Sequence, residues 1–240
     1  MKFGLAATLM LAAAAPAWAG PPYLTDDPVP TDLRHWEFYG FIDDEGISGT
    51  QDGDAGFDLN YGAAEGVQLT ATLPLSFSRE QSRGWRSGSG DVEVAVKYRF
   101  LNDEKHGVSA AIFPRLILPT SSLAEDGKTR ILLPVWLEKD FAGGTSLFGG
   151  GGFEINPGPG NRNFWQAGAA LTKDVSEELS IGAEITREGP DSDGGTPQTR
   201  AGVGAIAKLS THYSLLFSGG PTWADHRTGY HLYGALGLFF

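Results

Sequence analysis

The sequence predicts an all-β fold: a closed, antiparallel, up-and-down transmembrane β-barrel of about twelve strands. Three observations predict it. Apolar residues recur at every second position, the segments that show this pattern have the length of a tilted bilayer crossing, and the links between them alternate between tight and long.

Composition narrows the alternatives. The chain of 240 residues holds 34 Gly, about twice the average share, with 14 Phe, 7 Tyr and 6 Trp. An apolar content of 41% against 20% charged is too hydrophobic for intrinsic disorder. No internal stretch approaches the roughly 18 consecutive apolar residues of a membrane helix. The absence of Cys removes disulfides, zinc–thiolate sites, iron–sulfur clusters and cysteine nucleophiles together. A formal net charge of −11 argues against nucleic acid, whose phosphates need Lys and Arg partners. No metal-ligand spacing stands out, so neither a metal nor a cofactor is expected.

Residues 1–19 read as a signal peptide. Lys2 supplies the positive start, Leu5–Ala15 a short apolar core, and Ala17-Trp18-Ala19 a cleavage site ahead of Gly20. Residues 20–33 form a Pro-rich extended segment, since four prolines bar it from a central strand. It either lies in the periplasm or folds into the lumen as a plug; within it, Asp26 and Asp27 read as part of a solvated linker. Residues 34–240 form the barrel.

Candidate strands follow in order at 34–42, 54–62, 67–78, 90–100, 107–119, 128–139, 145–155, 163–173, 179–188, 199–209, 213–223 and 229–240. The clearest is Asp91–Phe100. Val92, Val94, Val96, Tyr98 and Phe100 share one face, while Asp91, Glu93, Lys97 and Arg99 share the other. With apolar alternates toward lipid, the lumen receives Glu37, Asp58, Asp91, Glu93, Lys97, Arg99, Arg115, Arg130, Glu138, Glu154, Glu184, Arg200 and Lys208. Both signs are present in similar number. Several of Phe113, Pro114, Ile117, Leu132, Trp136 and Phe148 also point inward under strict alternation, giving the lumen an apolar side.

Tight links fall at residues 63–66, 101–106, 140–144, 174–178 and 210–212. Longer or more polar links fall at 43–53, 79–89, 120–127, 156–162, 189–198 and 224–228. Short periplasmic turns alternating with longer outer loops characterise outer-membrane barrels, with both termini in the periplasm. The first outer link carries Asp43, Asp44, Glu45, Asp52 and Asp54, and reads as a solvated acidic loop. A divalent ion joining these acids to lipopolysaccharide is the alternative, although the spacing fits no Ca²⁺ loop. Trp36, Tyr61, Tyr98, Phe100, Trp165, Tyr213 and Trp223 fall near strand ends, where amphipathic rings meet headgroups. Gly149–Gly152 reads as a kink, or as a bare patch against which another element presses.

At the chain end, Tyr230, Leu232, Leu236, Leu238 and Phe240 alternate up to a terminal aromatic. This resembles the signal by which the barrel-assembly machinery recognises its clients. Gly20-Pro-Pro-Tyr-Leu-Thr-Asp-Asp-Pro, His35-Trp36-Glu37-Phe38-Tyr39, Asn60-Tyr61-Gly62, Gly90-Asp91-Val92-Glu93, Lys97-Tyr98-Arg99-Phe100, Leu118-Pro119-Thr120 and Phe148–Asn161 occur in that order. Together they resemble a bacterial family labelled "MetA-pathway of phenol degradation" or outer-membrane transporter, over nearly the whole mature chain. The resemblance implies an outer-membrane barrel that passes small molecules. One departure lies after Leu118-Pro119-Thr120, which lacks the glycines usual there.

The expected function is therefore an outer-membrane channel for small aromatic or amphipathic solutes, by passive diffusion through a narrow charged lumen. Its expected partners are outer-membrane lipid, lipopolysaccharide, the barrel-assembly machinery and the solute. On this reading, replacing Lys97, Arg99 and Arg115 by Gln shifts ion selectivity toward cations. A structural barrel with a closed lumen is the alternative, and a soluble β-sandwich the alternative fold. A lipid hydrolase needs a Ser activated by an oriented His. His35, His106, His212, His226 and His231 accompany no G-x-S-x-G motif, so no enzyme is expected.

Overall fold

The computed structural model describes residues 22–80, 84–124 and 127–240. The expected signal peptide lies outside them. Fourteen strand segments follow one another: β1 (Trp36–Ile47), β2 (Thr50–Ala64), β3 (Val67–Glu80), β4 (Gly84–Ser89), β5 (Glu93–Asp103), β6 (Val108–Ile112), β7 (Arg115–Ile117), β8 (Arg130–Phe141), β9 (Thr145–Ile155), β10 (Phe164–Asp174), β11 (Leu179–Glu188), β12 (Gln198–Lys208), β13 (Tyr213–Ala224) and β14 (Arg227–Phe239).

Twelve staves result, because two of them are each broken once. β4 pairs with the far half of β3 and β5 with its near half, so together they make one stave interrupted at residues 90–92. β6 and β7 likewise both lie between β5 and β8, broken at Phe113-Pro114. Pro114 has no N–H to give the ladder. Backbone bonds from Phe113 to the Pro134 carbonyl (3.2 Å) and from Val96 to the Pro114 carbonyl (3.1 Å) carry the wall across that break. All neighbours are antiparallel, and β1 pairs with β14 from Glu37↔Phe239 to Ile47↔Gly229. That seam closes the cylinder, leaving the barrel wall without a free edge.

Burial is inverted relative to a water-soluble protein. The most deeply buried side chains include Lys97, Thr25, Thr222, Ser214 and Ser218, whereas Phe57, Leu75 and Val203 are 61%, 65% and 65% exposed. A polar interior under a continuous apolar skin suits a hydrocarbon solvent, not water. The soluble sandwich is thereby set aside. Two apolar clusters do lie inside. Tyr39, Leu216 and Ala235 pack with Phe41, Ile206, Tyr233 and Phe239 near the seam, and Ala95, Phe113 and Trp136 pack together on another part of the wall.

The strands beyond 42 and 79 are longer than expected. Residues 43–53 form no loop: β1 and β2 stay paired to Ile47↔Thr50 and turn through Ser48 (φ 51°) and Gly49 (φ 86°). Residues 224–228 likewise collapse to a two-residue turn at Asp225 (φ 47°) and His226 (φ 61°). Residues 79–89 largely continue the β3–β4 ladder to Glu80↔Gly84. Both central residues of such turns sit in the left-handed region, which matches the twist of the strands they join. The reason for the misreading is physical. Toward this rim both faces of a strand carry polar residues, so the apolar alternation ends before the pairing does.

Candidate functional site

Each of the residues expected in the lumen lies on the inward face. Glu37 comes from β1, Asp58 from β2, Glu93, Lys97 and Arg99 from β5, and Arg115 from β7. Arg130 and Glu138 come from β8, Glu154 from β9, Glu184 from β11, and Arg200 and Lys208 from β12. Alternation puts them there because successive strand side chains face opposite ways. Phe113, Ile117, Leu132, Trp136 and Phe148 are buried inside as well, so the lumen has its apolar side.

The structure joins some of these residues into separate clamps. Arg115 meets Glu93 (3.2 Å), and Arg130 meets Glu154 (2.9 Å) and Asp91 (3.4 Å). Arg200 meets Glu45 (2.8 Å) and Glu188 (3.0 Å). Glu37 lies elsewhere, accepting a hydrogen bond from the Tyr39 hydroxyl (2.9 Å). Glu138 sits among Asp27, Lys97 and Arg99.

Residues 22–33 occupy the lumen. Leu33 bridges to Gly62 at the end of the barrel that holds the short turns, and the Thr31 N–H and hydroxyl donate to the Gln68 side-chain oxygen (2.8 and 3.1 Å). Asp26 then binds Lys97 and Arg115, each at 2.9 Å, while Asp27 stands 3.6 Å from the Lys97 ammonium. The segment crosses to the far wall, where the Leu24 and Thr25 N–H groups and the Thr25 hydroxyl all donate to the Glu184 carboxylate (3.1–3.2 Å). Finally the Ser218 hydroxyl donates to the Pro22 carbonyl. Asp26 and Asp27 are thus partners of lumen cations, not a solvated linker.

Inward glycines make room for this crossing. A Cβ at Gly168 would strike the Thr25 hydroxyl, and one at Gly182 or Gly204 would strike the Tyr23 ring or its hydroxyl. The run Gly149–Gly152 serves a different neighbour: inward Gly150 lies under the Trp136 ring, while Gly149 and Gly151 face the β10 backbone.

Beyond the crossing segment, toward the rim with the extended hairpins, two adjoining cavities of about 440 and 450 Å³ share Asp43, Asp58, Arg115 and Tyr233 in their walls. They form one vestibule floored by Pro22–Asp26. Its inward-facing side chains include eight carboxylates (Asp26, Asp43, Glu45, Asp54, Asp58, Asp91, Glu93 and Glu188) against three guanidinium groups (Arg115, Arg130 and Arg200). The expectation of balanced signs fails in this half of the lumen. Acids assigned to an outer loop lie on strands instead, and Asp43, Glu45 and Asp54 line the vestibule. The missed residues had a signal: Asp43 and Glu45 continue the inward parity of Glu37 and Tyr39 along β1.

Tyr230, Leu232, Leu236, Leu238 and Phe240 all lie on the outward face of β14 and its end, with Phe240 stacked on Phe38 (5.4 Å between centroids). Trp36 and Tyr61 stack beside them at 4.5 Å.

No family model and no curated protein matches the chain. Solved structures do. An outer membrane channel from Pseudomonas putida F1 is similar with a TM-score of 0.72 at 13% identity, over 89% of this chain and 98% of that one. The KdgM porin is similar with a TM-score of 0.57 at 10% identity, over 84% and 97%. The CymD monoaromatic hydrocarbon channel reaches 0.51 at 8% identity, over 86% and 88%. At such identities the likeness concerns the fold, and the fold is that of an outer-membrane barrel.

Proposed function

We propose that this chain is an outer-membrane channel that admits small solutes by passive diffusion, with a vestibule at the cell surface and the C-terminus at the periplasmic end. One observation carries the reading. A barrel with a lipid-compatible skin encloses a wide acidic vestibule, and its floor is a separate stretch of chain held by side-chain bonds, not by a strand of the wall. A floor built this way can shift without breaking the barrel ladder. The similarity to solved channels supports the same direction.

Solutes would be small and amphipathic. The vestibule offers aromatic faces at Tyr39, Trp136 and Tyr233 beside carboxylates, and a cavity of about 440 Å³ lies within the range of small-molecule sites. Outer-membrane lipid would meet the apolar skin, and the alternating C-terminal residues would engage the assembly machinery during insertion.

The specific observation favouring a closed structural barrel is the number of bonds that fix residues 22–33. Planar-bilayer conductance separates the two readings. Conductance that rises when residues 22–31 are deleted supports a gated channel. Silence of both the intact and the deleted protein, with no solute flux in liposomes, overturns it.

A further inference from the structure

The ion-pair pattern of the vestibule leaves one group of acids apart. Arg115, Arg130 and Arg200 are each committed to two carboxylates, none of them Asp43, Asp54 or Asp58. Among the described residues those three accept hydrogen bonds from neutral donors, and only Asp58 also lies within the field of the Arg115 guanidinium. Thr72 and Asn60 donate to Asp58 (3.0 and 3.3 Å), Ser76 donates to Asp54, and the Asp54 N–H donates to Asp43 (3.3 Å). Moreover, Asp43 and Asp54 are direct cross-strand partners, an arrangement in which like charges oppose each other at close range. The other cross-strand partner of Asp43 is Tyr233, whose ring stacks with Phe41 at 6.4 Å, and these two rings line the same cavity as the three acids.

A second observation points to a ligand. Among the described residues, Trp136 Nε1 and His231 Nε2 are buried polar atoms with no hydrogen-bond partner, and both residues line the vestibule. Trp136 and His231 are 5% and 6% exposed. An indole N–H only donates, so its partner must be an acceptor.

Taking the channel reading as the basis, we propose that the vestibule binds a small aromatic ammonium ion that also carries a hydrogen-bond acceptor. The ammonium group sits between Asp43, Asp54 and Asp58 and against the Tyr233 ring, relieving the carboxylate repulsion and adding a cation–π contact. The acceptor reaches Trp136 or His231. Anions are turned away by the surplus of acid at the mouth.

Tyramine has this chemistry; 4-hydroxyphenylacetate keeps the ring and hydroxyl but replaces the ammonium with a carboxylate. Calorimetry on the detergent-solubilised mature chain should show tyramine binding, weaker at higher salt, and no comparable binding of 4-hydroxyphenylacetate. The pair Asp43→Asn and Asp58→Asn should weaken tyramine by about tenfold or more. Equal binding of the two ligands, binding of neither, or unchanged affinity in a folded Asp43→Asn/Asp58→Asn variant overturns the proposal. If that variant does not fold, the comparison of the two ligands on the unaltered chain still decides. Bilayer conductance is read separately. Binding without conductance removes the channel and keeps the site; conductance without binding does the reverse.

Discussion

Asp26 and Arg115 meet at 2.9 Å inside the barrel, 89 residues apart in sequence, and the other oxygen of the same carboxylate takes the Lys97 ammonium. One aspartate from the crossing segment therefore holds two cations of the wall. Both cations also lie over the Phe113 ring, at 4.3 and 4.9 Å.

Replacing Asp26 by Asn should loosen the floor without harming the wall. Asp27 stays beside Lys97 and Glu93 beside Arg115, so the loss is smaller than the about 3–5 kcal/mol of leaving a buried charge unpaired. Here that loss falls on the docked state of residues 22–33. Single-channel recordings should show larger or more frequent openings than the unaltered protein, and identical traces would count against a mobile floor.

The same geometry revises the expectation for Lys97 and Arg115. They anchor the floor, so Lys97→Gln and Arg115→Gln should raise conductance as well as alter selectivity. Arg99, which makes no contact with Asp26, should leave conductance near its starting level when changed to Gln. Recording the three variants in parallel separates a role in docking from a role in the path.

Glycines behind the crossing segment supply an independent test. Gly204→Val places a branched side chain where the Tyr23 ring rests, and its Cβ also comes 2.8 Å from the Phe217 carbonyl of β13, so folding of the barrel is read alongside. Expelled residues 22–27 should become accessible to protease, while the barrel retains its heat-modifiable migration on gels. Continued protection would show that Tyr23 does not need that space.

Cation preference should follow the vestibule acids. The double variant Asp43→Asn/Asp54→Asn removes two of eight inward carboxylates facing three guanidinium groups. Reversal potentials in a salt gradient should move toward zero, and more so at low ionic strength, where charges act over a longer range. An unchanged potential would place these acids outside the conducting route.

Closure of the barrel depends on its last residue. The Trp36 N–H donates to the Phe240 carbonyl (2.7 Å), the Phe240 N–H donates back to the Trp36 carbonyl (3.1 Å), and the Phe240 ring stacks on Phe38. Deleting Phe240 should lower the yield of folded barrel in membranes. Folded protein recovered at full yield would refute that dependence.

Alternation made most of the wall legible, because a strand with lipid on one side and polar lumen on the other must repeat every second residue. Asp91–Phe100 shows this, with Glu93, Lys97 and Arg99 sharing the face opposite Val94, Val96 and Tyr98. Two kinds of feature escaped. Asp43 and Asp54 sit on paired strands near the rim, where the outward face is polar as well, so the inward parity they continue no longer stands out as an apolar alternation. Thr25 and Glu184 meet across 159 positions through the crossing segment, and nothing local in Gly20–Leu33 encodes that meeting. The bare patch expected at Gly149–Gly152 lies beside Trp136 and β10, whereas the glycines next to Tyr23 and Thr25 are 168, 182 and 204, which read as ordinary strand glycines.

Pro22 is fully buried against Ser218, well inside the cylinder and past the clamp at Lys97. A tag fused directly to Pro22 would therefore start from inside the lumen. An affinity tag fused at that end would act as a tethered blocker, whereas the same tag placed in the turn at Asp225-His226 would leave the passage clear.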